Sequence, residues 1–502
     1  MGQMMPPMPP QGYMWQRDAN RMGRMQNLFP KWLTQYSVVL YVILLVIISL
    51  MYSANSLPWY YMLSGVVAVI VFFLYGSSVA EQTSIMKIRR EKAFEKRIFI
   101  IAFIPRVIWT LLIYTIFMQN YGDAFGFDNA DAVFYDGMGV EFYEALKNGN
   151  FIEKWTAFYR TTEFSDMGYG TYVGFIYLLT GNSIFALRLL KCMWSSLTVL
   201  LIYRLAKRNF GEQTGRVAAT FCALWPNFWY YCGCHLKETE MVFLAVLFVE
   251  QADQMLRSRQ FTAWKVVPVL LIGASLLTLR TPLALVAFMS LILSVVMSSQ
   301  RVVSWGKRII VGGLAISLIA VTMGNRISEE TRGLAEAAQS NQQNSMEWRS
   351  VRKDGANGFA KYVGKSVFAP LIFTIPFPTF VRNEGSPEMP QLLNGGNFIK
   401  NIISGFTIFA MVILLISGKW REHLLPLSFL LGYLIVLTMS AFAQSERFHQ
   451  PAMPFEFMFA AYGLSIAVTK LKYKRWFTYW CMLMFVAALG WSWFRMAGRG
   501  LT

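Results

Sequence analysis

Acidic residues are scarce in this chain: 28 Asp and Glu stand against 46 Lys and Arg, a formal net charge of +18. In a soluble protein that excess would point to nucleic acid. Here the bases fall in short clusters between long apolar runs, the pattern that orients membrane helices, and nucleic-acid binding is excluded on that ground. Cysteine is scarce too. Its five copies, Cys192, Cys222, Cys232, Cys234 and Cys481, cannot all pair, and four lie inside apolar runs, which excludes a disulfide framework. Cys232, Cys234 and His235 have no second ligand pair and do not read as a zinc site. The chain contains no phosphate-cradling glycine loop with its lysine, no G-x-G-x-x-G, no H-E-x-x-H and no nucleophile elbow. Any chemistry must therefore rest on acid–base and electrostatic groups. No internal repeat is visible.

What the chain has is apolar length. With 55% apolar residues and a mean hydropathy of +0.40, it exceeds the roughly 45–50% of soluble domains and reads as an all-α polytopic membrane protein. Residues 1–34, rich in Met and Pro, form a disordered tail, with Arg17, Arg21, Arg24 and Lys31 placing it in the cytoplasm. Residues 35–97 hold two N-terminal spans, closed by the basic cluster Lys87, Arg89, Arg90, Lys92, Lys96 and Arg97. A core over 98–324, a long external loop over 325–397 and C-terminal spans over 398–502 follow, giving about thirteen transmembrane helices in all.

The charge inverts after Ile98–Met118: the segment 119–184 carries nine acids against three bases. Tyr169–Gly181 is too short for a comfortable span, since about 20 residues are needed to cross the hydrocarbon. If it crossed, Arg204, Lys207, Arg208 and Arg216 would all fall outside, so it reads as a helix in the outer interface. On that register the unusual polar groups collect on the external face: Asp128, Asp131 and Asp136; His235, Lys237 and Glu238; Arg280; Arg447 and His449.

Phe127–Asn150 is the acidic heart of that collection. A solvated acidic loop would explain it equally well by composition. Asp131 and Tyr135, four apart, share a helix face, and Asp128 lies one turn earlier, so a short helix can aim two carboxylates together. Such a pair has raised proton affinity, suited to a general base. Lys237 and Glu238 suit either a mutual ion pair or a site, and Arg280 either a snorkelling anchor or an anion ligand. Arg447 and His449, in QSERFHQP, carry the same ambiguity.

Three stretches carry a resemblance: DAVFYDGMGVEFYEALKNG, then LRLLKCMWSSLTVLLIYRLAKRNFGEQTGRVAATFCALWPNFWYYCGCHLKE, then ERFHQPAMPFEFMFAAYGL. In their order and spacing they resemble the GT-C superfamily of polytopic glycosyltransferases, and among them bacterial relatives of the protein O-mannosyltransferases and lipid A aminoarabinose transferases. The resemblance runs from about residue 98 to 470. It implies a bacterial cytoplasmic-membrane enzyme working on cell-envelope glycans, with an extracytoplasmic site, a polyprenyl-phosphate-linked sugar donor and a glycan, lipid or protein acceptor. By the same resemblance Asp131 matches the catalytic acid, Glu238 the acid after the third core span and Arg447 the base before the proline of a late span. Asp128 is separated from Asp131 by two residues, whereas the family often has adjacent acids. Lys237, Arg280 and Arg447, with His235 and His449, are the expected ligands of the donor phosphate. No cofactor is expected; the superfamily includes enzymes with and without Mg or Mn. A lipid-linked glycan polymerase or ligase and a transporter are the competing readings, the latter disfavoured by charges at one face and the lack of a repeat.

Overall fold

The computed structural model describes residues 30–126, 129–159, 164–258, 263–300, scattered positions between 302 and 313, and 371–381, 389–439, 445–469 and 472–497. Among these the protein is helical, with one isolated antiparallel bridge between Ser56 and Val381 and no strand. In chain order the helices are α1 (Lys31–Met51), α2 (Trp59–Gln82), α3 (Glu91–Tyr121), α4 (Asn129–Asn148), α5 (Phe151–Tyr159), α6 (Phe164–Thr180), α7 (Ile184–Phe210), α8 (Glu212–Leu224), α9 (Pro226–Cys232), α10 (Glu238–Arg257), α11 (Ala263–Leu279), α12 (Thr281–Met297), α13 (Asn394–Ile416), α14 (Leu424–Met439), α15 (Glu446–His449), α16 (Met453–Thr469) and α17 (Lys472–Ala497).

Five of them are long and apolar enough to cross a membrane: Trp32–Met51, Trp59–Gln82, Glu91–Tyr121, Ile184–Phe210 and Gln391–Ile416. Four shorter apolar helices, within α11, α12, α14 and α16, add to the bundle. The expected span at 309–324 lies almost wholly outside the described residues. The expected span at 217–233 is broken. Pro226 has no N–H to give the Cys222 carbonyl four residues earlier, so the chain bends at Trp225 and restarts as α9. Carbonyls left open at membrane depth need donors, and Arg106, fully buried on α3, supplies them. Its Nη2 donates to Cys222 O at 3.0 Å, Nη1 to Ala223 O at 3.0 Å and Nε to Ser195 Oγ at 2.8 Å.

One end of the bundle is tied by ion pairs between the basic ends of helices and nearby acids: Arg204 with Glu95 at 2.8 Å, Arg208 with Asp253 at 3.0 Å and Arg257 with Asp253 at 2.8 Å. α10 runs from this end to the other, where Glu238 begins it. α6 does not make that journey. Its first turn meets Lys237, just before α10, and the chain leaving its last turn opens α7, whose Arg188 donates to Ala124 O in the turn after α3. Both ends of α6 thus lie at the end of the bundle opposite the ion pairs.

α4 lies directly on α6. Gly174 makes the approach possible: a Cβ there would sit 2.7 Å from the Phe142 Cβ and 2.9 Å from the Tyr143 backbone nitrogen, and Gly139 and Gly170 face similarly filled space. Small residues at such crossings let two backbones meet.

Candidate active site

The site is assembled where five parts of the chain meet at one end of the bundle. α4 contributes Asp131 and, one turn on, Tyr135. The start of α6 contributes Asp166, also favoured by the positive end of its helix. α10 begins at Glu238, with Lys237 in the residue before it. Arg280 stands between α11 and α12, where Pro282 in the first turn fixes the restart. Finally α15, four residues long, delivers Arg447.

Arg447 is the centre. Its Nη1 donates to Asp131 Oδ2 and its Nε to Glu238 Oε1, joining residues 316 and 209 positions away in sequence. The two acids differ sharply: the Asp131 side chain is 50% exposed, Glu238 only 1%. Burial works against the charged guanidinium, but Glu238 and Asp131 overcome it and hold the Arg447 pKa above arginine's ordinary value. The second oxygen of Glu238 has no hydrogen-bond partner among the described residues and faces a small cavity lined by Ser195, Thr198, Tyr231, Thr239 and Gln450.

Beside this bridge lies a second one. The Lys237 ammonium donates to Asp166, to Leu279 O at 2.7 Å and to Ser165 O at 3.3 Å, and it sits 5.6 Å over the Tyr135 ring. Burial lowers its pKa and the nearby Arg280 adds to that, while Asp166 opposes both. Tyr135 donates to Asp166 Oδ1 at 3.2 Å, and burial together with Asp166 pushes its phenol far up, so it stays a donor. Lys237 and Glu238 do not pair with each other; each has its own partner.

Arg280 differs from both. Its guanidinium stacks 4.8 Å over the Phe448 ring, and among the described residues no carboxylate lies within ion-pair distance. It is the cation of this group not already committed to an acid.

The two histidines sit elsewhere. His235, buried between Phe125 and Tyr169, has its Nε2 3.7 Å from Asp136. Burial, with Lys191 and Arg188 nearby, drives its pKa well down and keeps it neutral. Asp136 accepts from Tyr177 OH, and burial raises its pKa despite that bond. His449 bonds through Nδ1 to Lys400 at 2.7 Å. Asp128 lies outside the described residues. Cys232 donates to Phe228 O at 3.1 Å, and among the described residues no three His, Cys, Asp or Glu side chains are grouped to hold a metal ion.

Sequence reasoning did not single out Asp166, Tyr177, Lys191, Lys400 or Arg106 for this region. Lys191, Lys400 and Arg106 did carry a signal, since each is a charge inside an apolar run, where an unpartnered charge is costly. Asp166 carried none, because only packing brings it to Lys237.

The protein is a multi-pass helical membrane protein with opposed charges gathered at one end of the bundle. Residues 171–323, from within α6 to beyond α12, match the family model described as dolichyl-phosphate-mannose-protein mannosyltransferase. The match takes in Lys237, Glu238 and Arg280 and supports a membrane glycosyltransferase of the GT-C type, in line with the resemblance read from the sequence. No curated protein and no solved structure matches the chain.

Proposed function

We propose that the protein transfers a sugar from a polyprenyl-phosphate donor to an extracytoplasmic acceptor hydroxyl, with inversion, within the core 98–324 completed by Arg447. One observation carries the reading: a half-exposed carboxylate, Asp131, is held by a guanidinium next to a second guanidinium, Arg280, that has no acid of its own among the described residues.

In the reaction the acceptor hydroxyl gives its proton to Asp131 as its oxygen attacks the anomeric carbon. The bond from that carbon to the phosphate oxygen breaks, and the electron pair leaves with the lipid phosphate. A single displacement inverts the anomeric centre. Negative charge gathers on the leaving phosphate, so a preorganised cation lowers the barrier, and removing one such donor typically costs about 10²–10³ in rate. Arg280 fills that role, since the charges of Lys237 and Arg447 are already balanced by Asp166, Asp131 and Glu238. Glu238 is too buried to meet an acceptor; it holds Arg447, which in turn orients Asp131.

The test is transfer by purified protein from a panel of polyprenyl-phosphate-linked hexoses and pentoses to a cell-envelope acceptor fraction, followed as label moving from lipid to acceptor. D131N, equal in shape and without basicity, should lower turnover at least about 10²-fold. R280Q should lower it comparably and weaken binding of polyprenyl phosphate. Full transfer by D131N would remove Asp131 as the base.

A further inference from the structure

We propose that Lys400 is a positioning residue, which from inside a membrane-spanning helix fixes the segment that carries Arg447; the proposal rests on the reading of Arg447 as part of the active site. Lys400 lies six residues into α13, in the apolar run FIKNII, and is 1% exposed. An ammonium at that depth is costly unless each of its three donors finds an acceptor. Two find one, and the third direction faces a carboxylate at ion-pair distance; each partner comes from a different element. Ile375 O, in the external segment before α13, is at 2.6 Å; His449 Nδ1, at the end of α15, is at 2.7 Å; Glu456 Oε1, in the first turn of α16, is at 3.8 Å.

The consequence lies two residues from His449. α15 is a single turn of helix, too short to hold its own shape, so side-chain tethers decide where Arg447 points. Tyr433 OH holds the Phe448 carbonyl at 2.8 Å from one side, and Lys400 holds the His449 ring from the other. With Lys400 as the ammonium donor, His449 Nδ1 is the acceptor at this contact. Its place in the reaction is then indirect. Lys400 also clamps Ile375, and the neighbouring Asn401 reaches Pro376 O at 3.2 Å. The external 371–376 segment and the Arg447 segment are thus pinned to the same turn of α13.

Three variants separate the tether from simple packing. H449L removes the acceptor; H449N places an amide oxygen near the Nδ1 position; K400M/E456Q removes the buried ammonium and its carboxylate together, since K400M alone would strand Glu456 and endanger folding. Amide hydrogen exchange over residues 445–452 in the purified protein, which needs no substrate, should rise about tenfold or more in H449L and in K400M/E456Q and stay near wild type in H449N. Turnover with the polyprenyl-phosphate sugar panel should fall about 10²-fold in the first two, the scale of a misplacement of about an ångström, with the Kd for polyprenyl phosphate within about threefold. H449N should keep both. Unchanged exchange and turnover in H449L, or an H449N as damaged as H449L, would overturn the tether. R447A, run alongside, tells the two readings apart. If R447A is inactive and H449L is not, only the Lys400 proposal falls; if R447A is fully active, the reading of Arg447 itself falls.

Discussion

Arg447 touches two carboxylates with one side chain, and this supplies an internal control for the energetics of the site. Glu238 is 1% exposed and Asp131 50%. Removing Arg447 strands a buried carboxylate at Glu238, which typically costs about 3–5 kcal/mol. Asp131 instead turns to water, and an ion pair so exposed is worth about 0–1 kcal/mol. In a double-mutant cycle, R447M with E238Q should therefore show a coupling of about 2–4 kcal/mol, while R447M with D131N should show less than about 1 kcal/mol. The measurement is equilibrium unfolding of the purified protein in mixed micelles titrated with SDS. Activity should rank the other way: D131N, nearly neutral for stability, should be the most damaging single change to turnover. Equal couplings, or a larger one to Asp131, would show that Glu238 is not the structural partner and would undo the division of labour between the two acids.

Two further outcomes are expected. In intact cells a membrane-impermeant thiol reagent should label I152C, at a position 79% exposed on α5, and leave M86C, 63% exposed in the basic loop, silent; the reverse pattern would put the candidate site in the cytoplasm. Thr239, next to Glu238, is only 6% exposed and would not serve as a reporter. Stability should fall as pH drops below about 6.5, because the unfolded His235 takes up a proton that the folded one, with its lowered pKa, does not; the slope per histidine reaches about 1.4 kcal/mol per pH unit. H235F should flatten this only in part, since His423, pushed down to about 4 by burial and then by Arg257, acts in the same direction. An acid slope identical to wild type would refute the assignment for His235.

The helical bundle and the gathering of charges at one end were legible in the chain, because apolar length and basic clusters report on membrane crossing directly. The pairing of those charges was not legible. Asp131, Glu238 and Arg447 were singled out one by one, yet nothing in their spacing says that one guanidinium spans both acids. Asp166 was passed over because the residue that makes it matter, Lys237, is 71 positions away. Arg106 and Lys400 were passed over although each is a charge in an apolar run, and their work depends on Pro226 opening one helix and on His449 lying against another. Periodicity is local and survives in the sequence; a hydrogen bond between helix ends exists only once the bundle is packed.

The glycine seam between α4 and α6 bears on how the site can move. Where a Cβ at Gly174 would already stand within 3.1 Å of Gly139 O, neither helix can slide or roll against the other without a backbone collision. Asp131 and Tyr135 on one, and Asp166 and Tyr177 on the other, therefore travel as a single rigid body. If α4 and α6 move when a substrate binds, they move as one plate turning about the chain at its two ends, the glycine-containing turn at 122–126 and the connection at 181–183, and Asp131 arrives already aligned with the residues around it.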